Sequence, residues 1–284
     1  MDINDIELNK VYYGDALEVL KTFPDNVADC LITSPPYYNL RDYGHKNQIG
    51  IEPSKEIYIN KLCDIFDEVK RVLKKEGTCF VNLGDSYDKN NCLMNVPNDF
   101  ASEMIKRNWF LRNEIIWNKP NCTPESVKNR FTVSHEKIFF FTQIKTKYYF
   151  KQQFEKQATF VTKKPYKNSK HKNLKNTATS GGGFQKYGIK PNPEGRNKRT
   201  VWDIKVKSYN EAHFAVYPIE LIKTPILSGC PPKGVILDCF MGSGTTAEAA
   251  LLADCYFLGV ELNKEYEKHI IKRITPLLQQ NKLI

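Results

Sequence analysis

The segment Val235-Ile236-Leu237-Asp238, followed by Gly242-Ser243-Gly244 and Thr245-Thr246, constrains the fold more than any other part of the chain. Four apolar-to-acidic residues in a row read as a buried strand. The glycines permit a tight turn and close approach of the backbone to a ligand, and a helix starting at Thr245 offers free N–H groups. The next apolar strand ends in Glu261, where a carboxylate can accept hydrogen bonds from both ribose hydroxyls of a bound nucleoside. A phosphate loop of the G-x-x-x-x-G-K type is not matched, because no lysine follows Gly244. A dinucleotide site asks for a third glycine, and position 247 is Ala, which such sites sometimes accept.

The rest of the chain continues this alternation of short apolar runs and amphipathic stretches, the pattern of a mostly parallel sheet covered by helices. Strands are expected at 11–14, 27–33, 78–83, 109–117, 135–142, 235–238 and 256–261. Helices are expected at 16–23, 54–75, 98–107, 217–227, 245–252 and 265–279. In the longest, Ile57, Leu62, Ile65, Phe66, Val69, Val72 and Leu73 recur at helical spacing, with Lys74-Lys75 in the last turn and Gly77 beyond it. The strand at 27–33 runs straight into Ser34-Pro35-Pro36-Tyr37. Two prolines cannot continue a ladder, so this segment is a loop at the strand's carboxyl edge. Asp15 stands where it can cap the short helix after it.

The 284 residues suffice for one large α/β domain with a smaller inserted or appended part. The net charge of +10 favours a polyanionic partner, because each Lys or Arg that neutralises a phosphate releases a counterion. The excess is concentrated: between 151 and 200 thirteen Lys and Arg stand against two acids. Phe154, Phe160, Tyr166, Phe184 and Tyr187 are interleaved with them. That mixture suits phosphates and unstacked bases; a solvated flexible insertion is the plainer alternative. The eight cysteines include no C-x-x-C pair and read as reduced apolar residues of a cytoplasmic protein, with neither a disulfide frame nor a metal site. Met1-Asp2-Ile3-Asn4-Asp5 is acidic and does not read as a secretory signal, and no apolar run is long enough for a bilayer.

Thr33-Ser34-Pro35-Pro36-Tyr37 resembles the catalytic tetrapeptide, with its preceding residue, of the DNA amino-methyltransferases that act on N4 of cytosine or N6 of adenine. The stretch 238–246 is similar to their S-adenosylmethionine loop. The catalytic segment comes first, as in the circularly permuted β group of that family. Asn82-Leu83-Gly84-Asp85, Trp117-Asn118-Lys119-Pro120, Arg130-Phe131-Thr132 and His135-Glu136 also resemble the family's scaffold. The likeness covers nearly the whole chain except about 145–200. It implies a Rossmann-like α/β fold with a mostly parallel seven-stranded sheet, circularly permuted. Residues 1–144 would form its catalytic part, 145–200 an inserted basic target-recognition region, and 201–284 its cofactor-binding part.

The resemblance also implies roles. S-adenosyl-L-methionine would be held by Asp238, Phe240, Gly242, Ser243, Gly244, Thr245, Thr246, Glu261 and Asn263, with Thr33 beside them. Phe240 would pack on it and Glu261 would take its ribose. His213-Phe214-Ala215-Val216-Tyr217-Pro218 resembles the second cofactor segment, so His213, Phe214, Tyr217 and Pro218 join the set. Asp15 resembles the acid that contacts the cofactor's adenine amino group. Arg41 would lie on a rim facing DNA, and Lys163, Lys164, Lys167, Lys170, Lys172, Arg196 and Arg199 would contact it. The expected partners are double-stranded DNA and a cognate restriction endonuclease, with no membrane and no metal, for a monomer or a homodimer.

An exocyclic amine is a poor nucleophile because its lone pair is delocalised into the ring. Two acceptors aimed at its protons, Ser34 Oγ and the Pro35 carbonyl, would draw it toward tetrahedral geometry, and Pro35-Pro36 would hold that carbonyl rigidly. Tyr37 would stack on a base rotated out of the duplex. In the family, Ser at the first tetrapeptide position usually accompanies cytosine and Asp adenine, so Ser34 favours N4 of cytosine, with N6 of adenine as the alternative. Methylation at a ring carbon would need a nucleophilic cysteine after a proline, and no Pro-Cys pair exists. Readings from other classes are a DNA-binding protein with a decayed site, a nicotinamide oxidoreductase and an RNA methyltransferase.

Overall fold

The computed structural model describes residues 6–42, 44–45, 47–156, 192–206 and 217–280. The expected site residues His213, Phe214, Lys163, Lys164, Lys167, Lys170 and Lys172 lie outside the described residues. The chain divides into two compact units, Met1–Lys151 with Thr200–Ile284, and Gln152–Arg199.

The larger unit begins with β1 (Lys10–Tyr13), α1 (Ala16–Lys21), β2 (Ala28–Thr33), α2 (Lys55–Val72), β3 (Leu73–Leu83), α3 (Val96–Lys106), β4 (Phe110–Asn118) and β5 (His135–Thr142). In the smaller unit, β6 (Phe154–Glu155) pairs antiparallel with β7 (Arg196–Asn197). The larger unit then resumes with β8 (Val201–Asp203), α4 (Ile219–Gly229), β9 (Val235–Asp238), α5 (Thr245–Leu252), β10 (Tyr256–Glu261) and α6 (Glu267–Gln280). Its sheet runs in the order β1-β10-β9-β2-β3-β5-β4-β8, and only β5 is reversed.

Period-two alternation along the strands builds the layers. Val81, Phe139, Phe141, Leu237 and Leu258 point to a core shared with Leu62, Phe66 and Val69 of α2 and with Phe100 of α3. Their neighbours Phe80, Ile138, Phe140, Ile236 and Phe257 point to the opposite core, with Leu221 and Ile226 of α4, Ala250 of α5 and Ile270 of α6. Phe80 and Phe140 stack across it with ring centres 4.5 Å apart. Both faces are covered, which is why these strands read as continuous apolar runs. Six of the eight cysteines are buried and all are free thiols. No described helix is long and apolar enough to cross a membrane.

The structure departs from the expected elements in two places. The sheet has eight strands where seven were expected. The eighth, β8, is three residues long, too short to show a period, and is fixed by side chains: Trp117 Nε1 donates to the Ile204 carbonyl at 2.8 Å, and Asn118 Nδ2 to Asp203 Oδ1 at 2.7 Å. The helix expected to reach Lys75 stops at Val72, and Leu73 already has extended backbone. Gln143 Nε2 donates to the carbonyls of Lys70 and Leu73 at 2.8 and 3.1 Å, satisfying acceptors that a helix end leaves open.

Candidate active site

The order of strands reverses between β9 and β2. From β9 the chain passes through α5 to β10 on one side; from β2 it passes through α2 to β3 on the other. A crevice therefore opens at the carboxyl ends of β9 and β2, the usual ligand position in an open α/β sheet. Both segments singled out in the sequence, 34–37 and 239–244, leave the sheet there.

Beneath the crevice lies a buried polar knot. Thr33 Oγ1, at the end of β2, donates to Asp238 Oδ1, at the end of β9, at 2.6 Å. Asp238 also accepts from the Phe240 amide at 3.0 Å, from the Tyr217 hydroxyl at 3.2 Å and from Thr246 Oγ1. Burial pushes the Asp238 carboxyl above its usual range, and the hydrogen bonds from Thr246, Thr33 and Phe240 pull it back. Asp238, Thr33, Thr246 and Tyr217 thus tie the loop to the sheet from below. Pro218 is the N-cap residue of α4.

Above the knot, Gly14, Asp15, Ser34, Pro36, Phe240, Gly242, Ser243, Glu261 and Asn263 line a cleft with about 910 Å³ of empty space, part of it open to solvent. Gly242 and Gly244 have φ of +52° and +87°, the left-handed region that glycine enters at little cost. A Cβ on Gly244 would press against Ile270 of α6, at 3.2 Å. Glu261 Oε2 accepts from the Gly242 amide at 2.7 Å and Oε1 from the Asn263 amide at 2.8 Å. Each carboxylate oxygen keeps further acceptor capacity. Burial raises the Glu261 carboxyl, and the amides of Asn263 and Gly242 oppose that rise. Ser243 Oγ is buried in the cleft wall without a hydrogen-bond partner, as is Thr245 Oγ1 at the start of α5. A left-handed glycine turn, a half-satisfied carboxylate and an orphaned hydroxyl fit a nucleoside-type ligand. Asp15 caps α1, accepting from the amides of Leu17 and Glu18 at 3.0 and 3.2 Å, and it also lines the cleft.

The segment 34–37 is pinned by its surroundings. The Tyr58 hydroxyl donates to the Pro36 carbonyl at 2.8 Å, while no described residue donates to the Pro35 carbonyl. The Tyr37 ring lies against Gly84, where a Cβ would come within 2.5 Å of it. The Tyr37 hydroxyl donates to Glu136 Oε2 at 2.6 Å. Asn82 Nδ2 reaches the same hydroxyl at 2.6 Å and the same carboxylate at 2.8 Å. Ser34 Oγ–H points to the Tyr37 oxygen at 3.4 Å. Lys119 closes the far side as an ion pair with Glu136, its ammonium 4.4 Å from the centre of the Trp117 ring. Burial and the Glu136 carboxylate push the Tyr37 phenol well above its usual range, so it stays protonated and donates.

Asn82, Gly84, Lys119 and Glu136 were legible only as scaffold motifs; their roles appear once β3, β4 and β5 bring them to Tyr37. The expected stacking face of Tyr37 is on one side occupied by Gly84. Arg41 is exposed on the loop after the catalytic segment. Within the smaller unit Arg196 and Arg199 both bind Glu155 Oε1, at 2.7 and 2.5 Å.

The DNA methylase family matches this chain over residues 28–273. The Type II methyltransferase M.Cfr9I of Citrobacter freundii is 37% identical to it, over 95% of this chain and 89% of that protein. The cytosine-N4-specific PvuII DNA methyltransferase superposes with a TM-score of 0.66 at 19% identity, over 95% of this chain and 91% of that one. A DNA modification methylase of Thermus thermophilus, TTHA0409, solved with S-adenosyl-L-methionine, gives a TM-score of 0.61 at 22% identity, over 94% and 95% of the two chains. At these identities the two structures speak for the fold alone.

Proposed function

This chain belongs to the DNA methylase family, and from that premise we propose that it transfers a methyl group from S-adenosyl-L-methionine to N4 of cytosine in double-stranded DNA. One observation carries the reading: Ser34 and Pro36 line the same cleft as Phe240, Gly242, Ser243 and Glu261. A reactive-amine site and a nucleoside site thus share one space. The order of segments, with β2 before β9 and the first strand beside the last, suits the permuted β group.

When bound, S-adenosyl-L-methionine supplies an electrophilic methyl group on a sulfonium. The cofactor would be held by Phe240, the 242–244 turn, Ser243 Oγ and the open lone pairs of Glu261. The chain's own work is on the amine. Ser34 gives its hydroxyl proton to Tyr37, and Tyr37 gives its own to Glu136. Each link polarises the next, so Ser34 Oγ faces the cleft as an improved acceptor. The Pro35 carbonyl has no competing donor among the described residues and serves as the second acceptor. Neither group must reorganise during transfer, which is where such preorganised dipoles gain their effect. A base in a duplex cannot reach Ser34, so it must be rotated out of the stack. Ser34, neutral where the adenine enzymes of the resemblance carry Asp, supports cytosine. Protection of host DNA against a restriction endonuclease is the setting we assign.

Expression in a host without cytosine-N4 methylation, followed by modification-sensitive sequencing, tests the reading. One recurrent motif with modified cytosines is expected; modified adenines would overturn the choice of base.

Glu261→Ala is expected to weaken S-adenosylmethionine binding between about tenfold and a hundredfold, the range for a lost charged hydrogen bond. Calorimetric titration checks it. Changing Lys163, Lys164, Lys167 and Lys170 to Glu is expected to lower DNA affinity and flatten its salt dependence by about 0.9 log units for each phosphate no longer neutralised. Binding measured across a salt series reads both.

A further inference from the structure

We infer that Phe131 is a wedge that enters the base stack of duplex DNA where the target base leaves it. This rests on the reading that the chain acts on a base rotated out of a duplex. Phe131 is 96% exposed, in the connection from β4 to β5. That connection starts at the carboxyl end of β4, on the sheet edge that also carries Ser34 after β2 and Gly84 after β3.

Two anchors hold the connection beside the catalytic segment. Before Phe131, the Arg130 guanidinium lies 3.6 Å from the centre of the Tyr87 ring, and its Nη2 binds Glu125 at 3.0 Å. Tyr87 stands three residues beyond Gly84, against which Tyr37 packs. After Phe131, Glu136 accepts the Tyr37 hydroxyl at 2.6 Å. Five residues of chain span at most about 18 Å, so Phe131 cannot lie far from the site on either tether. An aromatic ring fixed in water by its neighbours contributes nothing to the core. Inserted between base steps, it would bury its surface and occupy the gap left by the rotated base. Lys128 and Arg130 flank it with the charge a phosphate backbone attracts.

The test uses the full chain and a duplex carrying the methylation site mapped with the unmodified protein. Single-turnover rates are compared for that protein, Phe131→Ala and Phe131→Trp, on the duplex with the target base paired and on one with it mismatched. Stacking of an aromatic on a base predicts a loss of about tenfold for Phe131→Ala on the paired duplex. A mismatched base leaves the stack at lower cost, so the loss should shrink to about threefold or less there. Phe131→Trp should stay within about threefold of the unmodified protein on both, since its ring still stacks. Equal rates for Phe131→Ala on the paired duplex would overturn the inference, as would the same loss on both duplexes. If the unmodified protein methylates no DNA, the underlying function fails instead, and the inference with it. The side chain touches little of the fold, so an unchanged thermal midpoint is expected for both variants and separates loss of the wedge from misfolding.

Discussion

Ser34→Ala is expected to slow methyl transfer within the bound complex by about 10²–10³-fold, the usual cost of deleting one preorganised group that acts on developing charge. S-adenosylmethionine affinity should stay within about threefold, because the hydroxyl acts on the amine and is not needed to hold the cofactor. Single-turnover kinetics with saturating DNA separate the two effects. If affinity fell and transfer in the bound complex did not, Ser34 would be part of the cofactor wall and not of the reaction. The Asp238 knot makes the distinction clean. The loop is tied down by Thr33, Tyr217 and Thr246, so removing the Ser34 hydroxyl breaks none of its supports.

The second large effect is expected at Glu136. Glu136→Gln keeps an acceptor for Tyr37 but removes the charge that polarises the chain from Ser34. It also leaves Lys119 without its carboxylate. A loss of about tenfold to a hundredfold in transfer rate is expected, that of one charged hydrogen bond. Tyr37→Phe interrupts the same chain one link earlier and should cost a similar factor. Because both act through Ser34 Oγ, the double variant should be little slower than the worse single one. Multiplied effects would mean that the two residues act separately. Glu136→Ala should in addition lower stability by about 2–3 kcal/mol, read from thermal or denaturant unfolding. That lies somewhat below the cost of breaking a fully buried pair, since Lys119 and Glu136 keep 19% and 16% of their side-chain exposure.

What could be read from the chain alone follows the range of the forces involved. The seven long strands and the glycine turn are local: apolar periods and left-handed backbone needs are written in adjacent residues. The short strand β8 is not local, because its stability comes from Trp117 and Asn118, more than eighty residues earlier. The same division runs through the site. Ser34, Phe240 and Glu261 stand in motifs with a recognisable order, and the cleft brings them together. Asp238 and Thr246 also stand in a motif, yet their side chains turn to each other beneath the loop, which only the pairing of β9 with β2 decides. Glu136 is the extreme case. Nothing near it in sequence marks it as a partner of Tyr37, and the ninety-nine residues between them are closed only by the reversed strand β5.

The most direct test of the central claim is chemical. The purified protein is incubated with methyl-labelled S-adenosylmethionine and unmethylated genomic DNA, the DNA is digested to nucleosides, and the labelled species is identified. Label in N4-methyldeoxycytidine is the expected result. Label in N6-methyldeoxyadenosine would contradict the argument from Ser34 while leaving the amine chemistry intact, and an absence of label in DNA would contradict the assigned reaction itself.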